Sequence, residues 1–359
     1  MADPLLESFQ LKHLHLKNRI ITTSHEPAYN EDGFPKDRYI AYHLERAKGG
    51  IAMTMTAGSA VVSKDSPPSF DNIHAYKDEV VPWIKKLTDT IHDHDCKIMI
   101  QLTHLGRRTS WSKGDWLPSL SSGKHREPAH KAFPKVMESW DIERIIKEYG
   151  DAAERMKEGG MDGVELEGQG HLIGQFLSPL TNELSTEYGG SLENRLRFTI
   201  DVLSDIRKKV GQDFIVGIRC VFDEVEEGGI TKSEGLKIAK ILSDSGLVDY
   251  LNVNKGRIHT DPILTKHIPI QGMKSAPHLE FAGEIKKEIQ LPIFHASKIS
   301  DVATARYAIS NGLVDMIGMT RGHLADPHIV AKIKEKREKD IRPCVGATYC
   351  LDRIYQGEE

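Results

Sequence analysis

Short β-branched and apolar runs alternate along the chain with longer amphipathic stretches. Eight such runs lie near Arg19–Thr22, Ile51–Thr56, Lys97–Leu102, Gly163–Leu166, Phe214–Arg219, Tyr250–Val253, Pro292–His295 and Met316–Met319. Between them, Ile142–Glu158, Leu192–Val210, Thr231–Ser245 and Asp301–Asn311 repeat apolar residues three and four apart, the spacing of a helix with one buried face. Strand and helix in alternation predict an α/β fold with a parallel sheet, and eight units predict closure into a (β/α)8 TIM barrel. An open doubly wound sheet would want a glycine fingerprint after its first strand, and Ile20 to Glu26 holds no glycine.

Chemistry in such a barrel belongs to the C-terminal strand ends and the loops that follow them. Those ends carry Thr23, Ser24, His25 and Glu26; Gln101, Thr103, His104 and Arg107; Glu167, Gln169 and His171; Arg219; His295, Ala296, Ser297 and Lys298; and Gly318, Met319, Thr320 and Arg321. The stretch Arg108–Val136, with Trp111 and Trp116, is too long for a plain connector and reads as a lid. Residues 1–340 are expected to form the barrel, and 341–359 a short cysteine-containing tail outside its repeating units.

Length and composition change this picture little. A chain of 359 residues with 39% hydrophobic and 28% charged residues suits one large barrel. The net charge of −4 comes with scattered Lys and Arg, so no stripe awaits a nucleic acid. No window approaches a membrane span and Met1–Leu11 lacks a signal-peptide pattern, so a cytoplasmic protein is expected. Its four cysteines, Cys96, Cys220, Cys344 and Cys350, are too few for a disulfide scaffold and are expected as thiols. His92 and His94 stand two apart, do not share a helix face, and are read as solvated; His104 is read as a pocket wall.

Loops after the last two strands often hold a phosphate in barrels, and Ser297, Lys298, Gly318 and Arg321 lie there. An arginine at that point clamps a phosphate or is an ordinary surface cation near a helix start. Gln101 and Arg219 carry the chemistry that the pyrimidine edge of a flavin asks for, although neither decides the matter alone.

Five collinear stretches, LKNRI at Leu16–Ile20, QLTHLGR at Gln101–Arg107, QFLSP at Gln175–Pro179, EYGGSLENR at Glu187–Arg195 and LADP at Leu324–Pro327, resemble the Old Yellow Enzyme superfamily of FMN barrels. The resemblance implies that Thr23, Ala57, Gln101 and Arg219 contact the flavin ring and that Ser297, Lys298, Gly318 and Arg321 hold its phosphate. Typical ene-reductases of that family bind an enone oxygen with a His at the end of the fourth strand. Here Glu167 takes that place, and His171 falls near the place of the family's proton-donating Tyr. A carboxylate suits a cationic amine better than a carbonyl oxygen, since carboxylate and carbonyl are both acceptors. Salt bridging to a neighbouring Lys or Arg is the plainer role for Glu167 and Glu26.

Ser24-His25-Glu26 also resembles the trimethylamine dehydrogenase branch, in which a cysteine at the place of Glu26 is bound to the flavin. Glutamate forms no such thioether, so the FMN is expected to be non-covalent. The tail matches only two cysteines, Cys344 and Cys350, of a four-cysteine iron–sulfur motif, with Ala347 at the second position. No bound [4Fe-4S] cluster or other metal is therefore expected, and the tail reads as a remnant of that motif.

The resemblance implies oxidative N-demethylation of a small methylated amine or amino acid, with Glu167 and Glu26 orienting the amine and His25 or His171 taking the proton. The alternatives are an NAD(P)H-dependent ene-reductase with His171 as donor, and a flavin electron-transfer module that works only with further domains. A homo-oligomer or an electron-transfer partner is compatible with each.

Overall fold

Eight parallel strands close into a barrel: Ile20–Ile21, Met53–Val61, Lys97–Thr103, Gly163–Gly168, Ile215–Val221, Tyr250–Asn254, Ile293–His295 and Met316–Gly318, with the last pairing to the first. The computed structural model describes residues 3–66, 70–109 and 117–355. Every apolar run read from the sequence becomes one barrel strand. The periodic stretches become the helices Ser139–Glu158, Leu192–Val210, Lys232–Asp244 and Val302–Ser310, the second with the same ends as expected.

The core has two layers. One lies between the outer faces of the strands and the helices, and holds residues such as Ile98, Ile100, Val164, Phe198, Val202 and Leu242. The other fills the barrel interior with Ile21, Met53, Met55, Met99, Ile215, Tyr250, Phe294 and Met316. Tyr250 stacks on Phe294 with ring centroids 4.1 Å apart. It fits because Gly217, its register neighbour, has no side chain: a Cβ there would stand 2.1 Å from the Tyr250 ring.

A hairpin of Phe9–Leu11 and Leu14–Leu16 adds Leu11, Leu14 and Leu16 to the interior layer. Its strands are too short for periodicity to reveal, since three residues carry barely one cycle of alternation.

The interior layer holds the far ends of the strands rigid and leaves polar residues at their C-terminal ends. The second strand is bent there. Its register with the third shifts between Thr56 and Ala60, and Ala57 takes φ +49° while Tyr39 OH accepts its backbone N–H at 2.8 Å. The bend brings Gly58 against the backbone of His25 and Glu26, where a Cβ would lie 2.9 Å from the Glu26 nitrogen. Among the described residues, no helix is long and apolar enough to cross a membrane.

Candidate active site

A cavity of about 500 Å³ opens at the C-terminal ends of the strands. This size lies within the usual range for cofactor and ligand sites. Eleven of the twelve residues expected at the site line it: Thr23, His25, Glu26, Gln101, Glu167, His171, Arg219, Ser297, Lys298, Gly318 and Arg321. Ala57 does not. The bend in the second strand turns it into the core and gives the lining position to Gly58.

The cavity floor is built on the third to sixth strands. Gln101 and Glu165 are register partners, and Gln101 Nε2 donates to Glu165 Oε1 at 2.8 Å. Tyr250 OH and Asn252 Nδ2 each donate to Glu165 Oε2 at 3.0 Å. Burial pushes the Glu165 carboxyl up, while Arg219 and these hydrogen bonds pull it back. Gln101 Oε1 is buried and has no partner among the described residues, which leaves it an acceptor open to a ligand.

One level up, Glu167 and Arg219 are register partners on adjacent strands. They do not form a salt bridge. Gln169 stands between them: its backbone N–H donates to Glu167 Oε1 at 2.8 Å, and its own Oε1 accepts from Arg219 Nε at 3.3 Å. Burial pushes Glu167 up to about 8, against the pull of Arg219 and Gln169 and with the push of Glu165. His171 packs behind, with Nδ1 3.1 Å from Thr103 Oγ1 and no partner for Nε2 among the described residues. Burial and then Arg108 hold its pKa well below the ordinary imidazole value, so the ring is neutral.

His25 offers the cavity no open nitrogen. Its Nδ1 lies 3.0 Å from the Thr23 carbonyl and its Nε2 2.5 Å from Tyr42 OH, so Nδ1 carries the hydrogen and Nε2 accepts from the tyrosine. Burial lowers it to about 3. Of the two histidines expected as proton acceptors, only His171 is free to act directly. Glu26 accepts the Ala28 N–H at 3.2 Å through Oε1 and is raised well above the usual carboxyl range by burial, against the pull of the Ala28 N–H and the Asn72 side chain.

The other end of the cavity is positive. Lys298 Nζ donates to the carbonyls of Ile270 and Met273, and Arg321 Nη1 to that of Pro269 at 2.9 Å. Neither has a carboxylate partner among the described residues, and the same holds for Arg219. Ser297 Oγ is buried and unpartnered beside them. Ser297 and Lys298 both take positive φ, +136° and +52°, in the turn that brings them to the cavity. Gly318 lets the last strand approach Thr23 and Ala296, where a Cβ would meet their side chains at 2.7 and 2.8 Å.

These features fit an FMN. Gln101 Oε1 is an acceptor for the ring's N–H edge, Arg219 a cation for its carbonyl edge, and Ser297, Lys298 and Arg321 an anion-binding end for the phosphate.

Two expectations change. His104 is fully buried, paired with Asp65 at 3.0 Å, and not part of the cavity wall. His92 is paired with Asp162 at 2.8 Å rather than merely solvated. The tail lies against the barrel mouth: Cys344, Gly346, Tyr349, Cys350, Leu351 and Arg353 line the cavity, and Gly346 O accepts the Gln271 N–H at 2.9 Å. Sequence reasoning missed this, since nothing in a short polar segment tells where it folds back. It also missed Tyr42 and Glu165, which act through His25 and Gln101. Of the expected lid, Trp111 and Trp116 lie outside the described residues. Among the described residues, no group of three His, Cys, Asp or Glu side chains comes together to hold a metal ion.

Residues 4–340 match the model of the NADH:flavin oxidoreductase / NADH oxidase family. The chain is 67% identical over 355 residues to a "Probable N-methylproline demethylase" of Rhizobium meliloti (strain 1021), covering 99% of this chain and 52% of that protein. It is 47% identical over 350 residues to a "Multifunctional alkene reductase/demethylase OYE" of Caballeronia cordobensis, covering 97% and 51%. A solved 2-naphthoyl-CoA reductase complex superposes with a TM-score of 0.92 at 26% identity, over 100% of this chain and 56% of that one. The chain thus spans about half the length of the curated relatives it matches.

Proposed function

The chain belongs to the NADH:flavin oxidoreductase / NADH oxidase family, and from that premise we propose that its barrel holds FMN non-covalently and oxidises the N-methyl group of a small methylated amine or amino acid, N-methylproline among them. Bound in the cavity, FMN supplies a hydride acceptor for the N-methyl carbon, and water then splits the resulting substrate iminium into the demethylated amine and formaldehyde.

The observation that carries the amine reading is Glu167. It is a buried carboxyl lining the cavity, with no cation bridged to it among the described residues, and burial raises its pKa to about 8. An arriving ammonium finds a charge partner there. The amine must lose its proton before its methyl carbon can lose a hydride, and a carboxylate poised near neutrality is matched to that transfer. His171 Nε2, neutral and unpartnered, is a second acceptor at the same end. Glu26, in the loop after the first strand, is the other acid of the pair expected to orient the amine, and it lines the same cavity.

Alkene reduction with NAD(P)H is the second reading, and the name of the Caballeronia relative favours it. It needs a proton donor, and an imidazole held neutral is a weak one. A catalytically silent electron-transfer module is the third. Anaerobic mixing separates them. Loss of oxidised-flavin absorbance on adding N-methylproline supports demethylation; loss with NADPH, then recovery on adding cyclohexenone, favours alkene reduction; no loss with either leaves the module.

We read residues 341–359 as the remnant of an iron–sulfur motif. The two thiols Cys344 and Cys350, free at the cavity rim, support that reading. A cytoplasmic setting suits the four free thiols.

A further inference from the structure

We propose that Arg108 is the residue that recognises the substrate's carboxylate, which makes N-methylated α-amino acids, rather than plain methylamines, the preferred substrates; this rests on the amine-oxidation reading above. Arg108 follows the third strand and lines the cavity although its side chain is only 4% exposed. Its Nη1 donates to Glu127 Oε1 at 3.3 Å and to the Ile258 carbonyl at 2.8 Å. Those two bonds fix the head group between the loops that follow the third and sixth strands. A guanidinium held in place loses little freedom when it meets a ligand, and its planar fork matches a carboxylate.

Arg108 belongs to the same end of the cavity as the amine-binding groups. After burial, its charge is the largest influence keeping His171 neutral. It also shares a wall with Gln169: both line the main cavity and a smaller one of about 30 Å³ behind it. Gln169 in turn holds Glu167 through its backbone N–H. This end therefore holds the buried Glu167 carboxyl and the buried Arg108 guanidinium, which Glu127, itself buried, already pairs on one side. The cations of the opposite end, Lys298 and Arg321, are committed to the anion-binding loop. A zwitterion whose ammonium and carboxylate flank a single carbon offers the complementary pair of charges. A plain methylamine satisfies only Glu167, and a site built for a charged group discriminates strongly against an analogue that lacks it.

The test compares N-methylproline with N-methylpyrrolidine, the same amine without the carboxylate, on the FMN-loaded chain. Wild type should prefer N-methylproline in kcat/KM, and R108M should reduce that preference by roughly 10- to 100-fold, mainly through KM. R108K, which keeps the charge but not the fork, should recover part of it. Calorimetric titration with 2-furoate, a carboxylate that cannot be oxidised, should show binding to wild type and weaker binding to R108M. If R108M lowers both substrates equally and leaves furoate binding unchanged, Arg108 is only a staple between loops and the proposal falls. A wild type that shows no preference overturns it as well, and does so even where R108M fails to fold. Failure of the parent reading looks different, with neither amine oxidised by wild type.

Discussion

Gln101 donates from Nε2 to Glu165 Oε1 at 2.8 Å, and this one bond decides which end of the Gln101 amide meets the cavity. With the donor end engaged, the carbonyl end is left as an acceptor. Glu165 itself touches nothing outside the barrel wall, being clamped also by Tyr250 and Asn252. E165Q replaces an oxygen that only accepts with an amide that must also donate, facing groups that donate already. The variant should lose roughly 1–3 kcal/mol of stability by urea unfolding of the FMN-free protein. FMN affinity should fall about tenfold as the Gln101 amide loses its fixed orientation, read by fluorescence titration. Unchanged FMN affinity would show that Gln101 does not depend on Glu165.

The second test concerns Glu167 and pH. Its ionised form is the productive one, and burial raises its pKa to about 8. Amine turnover in kcat/KM should therefore rise with pH through about 8 in wild type. E167Q should lose that limb and about 100-fold or more in kcat/KM, the scale of a general base, while FMN content stays at the wild-type level. A wild-type profile that is flat across this range would remove Glu167 from the mechanism.

The same shift has a sign for folding. In the unfolded chain the carboxyl titrates near its ordinary value of 4.5, and in the fold near 8, so the folded state holds the extra proton between these values. Stability should fall as pH rises through that window, by up to a few kcal/mol at about 1.4 kcal/mol per pKa unit. E167Q carries no titrating group and should flatten the decline. Thermal midpoints of the two proteins that run parallel from acid to alkaline pH would contradict this.

Much of the barrel was legible in the sequence because eight apolar runs in register with helical stretches admit few other folds. The motif residues were legible for a different reason. Gln175 bridges the loops after the third and fourth strands through Leu105 and Gly170, Asn18 ties the first strand to the Gly50 carbonyl at 2.9 Å, and Arg195 holds the Leu177 carbonyl at 2.9 Å. These residues clamp the loops at the strand ends, which gives the motif positions a structural role in this chain. Residues that tune the site carry no such mark. Tyr42 lies on the Asp37–Lys48 helix and reaches the cavity only through the packing of that helix on the strands. Ala57 stands off the cavity lining because a bend in a strand depends on one backbone angle, which composition does not encode.

The positive end of the cavity gives a third test. Arg321 and Lys298 are bonded to backbone carbonyls and meet no carboxylate among the described residues. R321A should weaken FMN binding by about 10- to 100-fold, the worth of a charged hydrogen bond. Once FMN is saturating, the KM for amine should stay near the wild-type value, since Arg321 lies at the far end from Glu167 and Arg108. An R321A protein that retains FMN as tightly as wild type would refute the assignment of this end to the phosphate.

His25 and Tyr42 give the last. The tyrosine hydroxyl donates to His25 Nε2 at 2.5 Å while Nδ1–H is directed at the Thr23 carbonyl, which fixes one neutral tautomer. Burial lowers the pKa to about 3, so His25 should not titrate between about pH 5 and 9, and ¹⁵N NMR should report the Nδ1–H form throughout. The unfolded chain, by contrast, takes up this proton near the ordinary imidazole value of 6.5, so His25 contributes to a loss of stability as pH falls below that value. Y42F removes the donor to Nε2 and, among the described residues, leaves a buried acceptor unpaired, at a cost of roughly 1–3 kcal/mol near neutral pH. Because Thr23 lies at the cavity edge and shares the Thr320 hydroxyl at 2.9 Å, the same change should loosen the first-strand loop and lower FMN affinity. An imidazolium at His25 in wild type at pH 6 would show that burial does not govern this ring, and the positioning role of Tyr42 would fall with it.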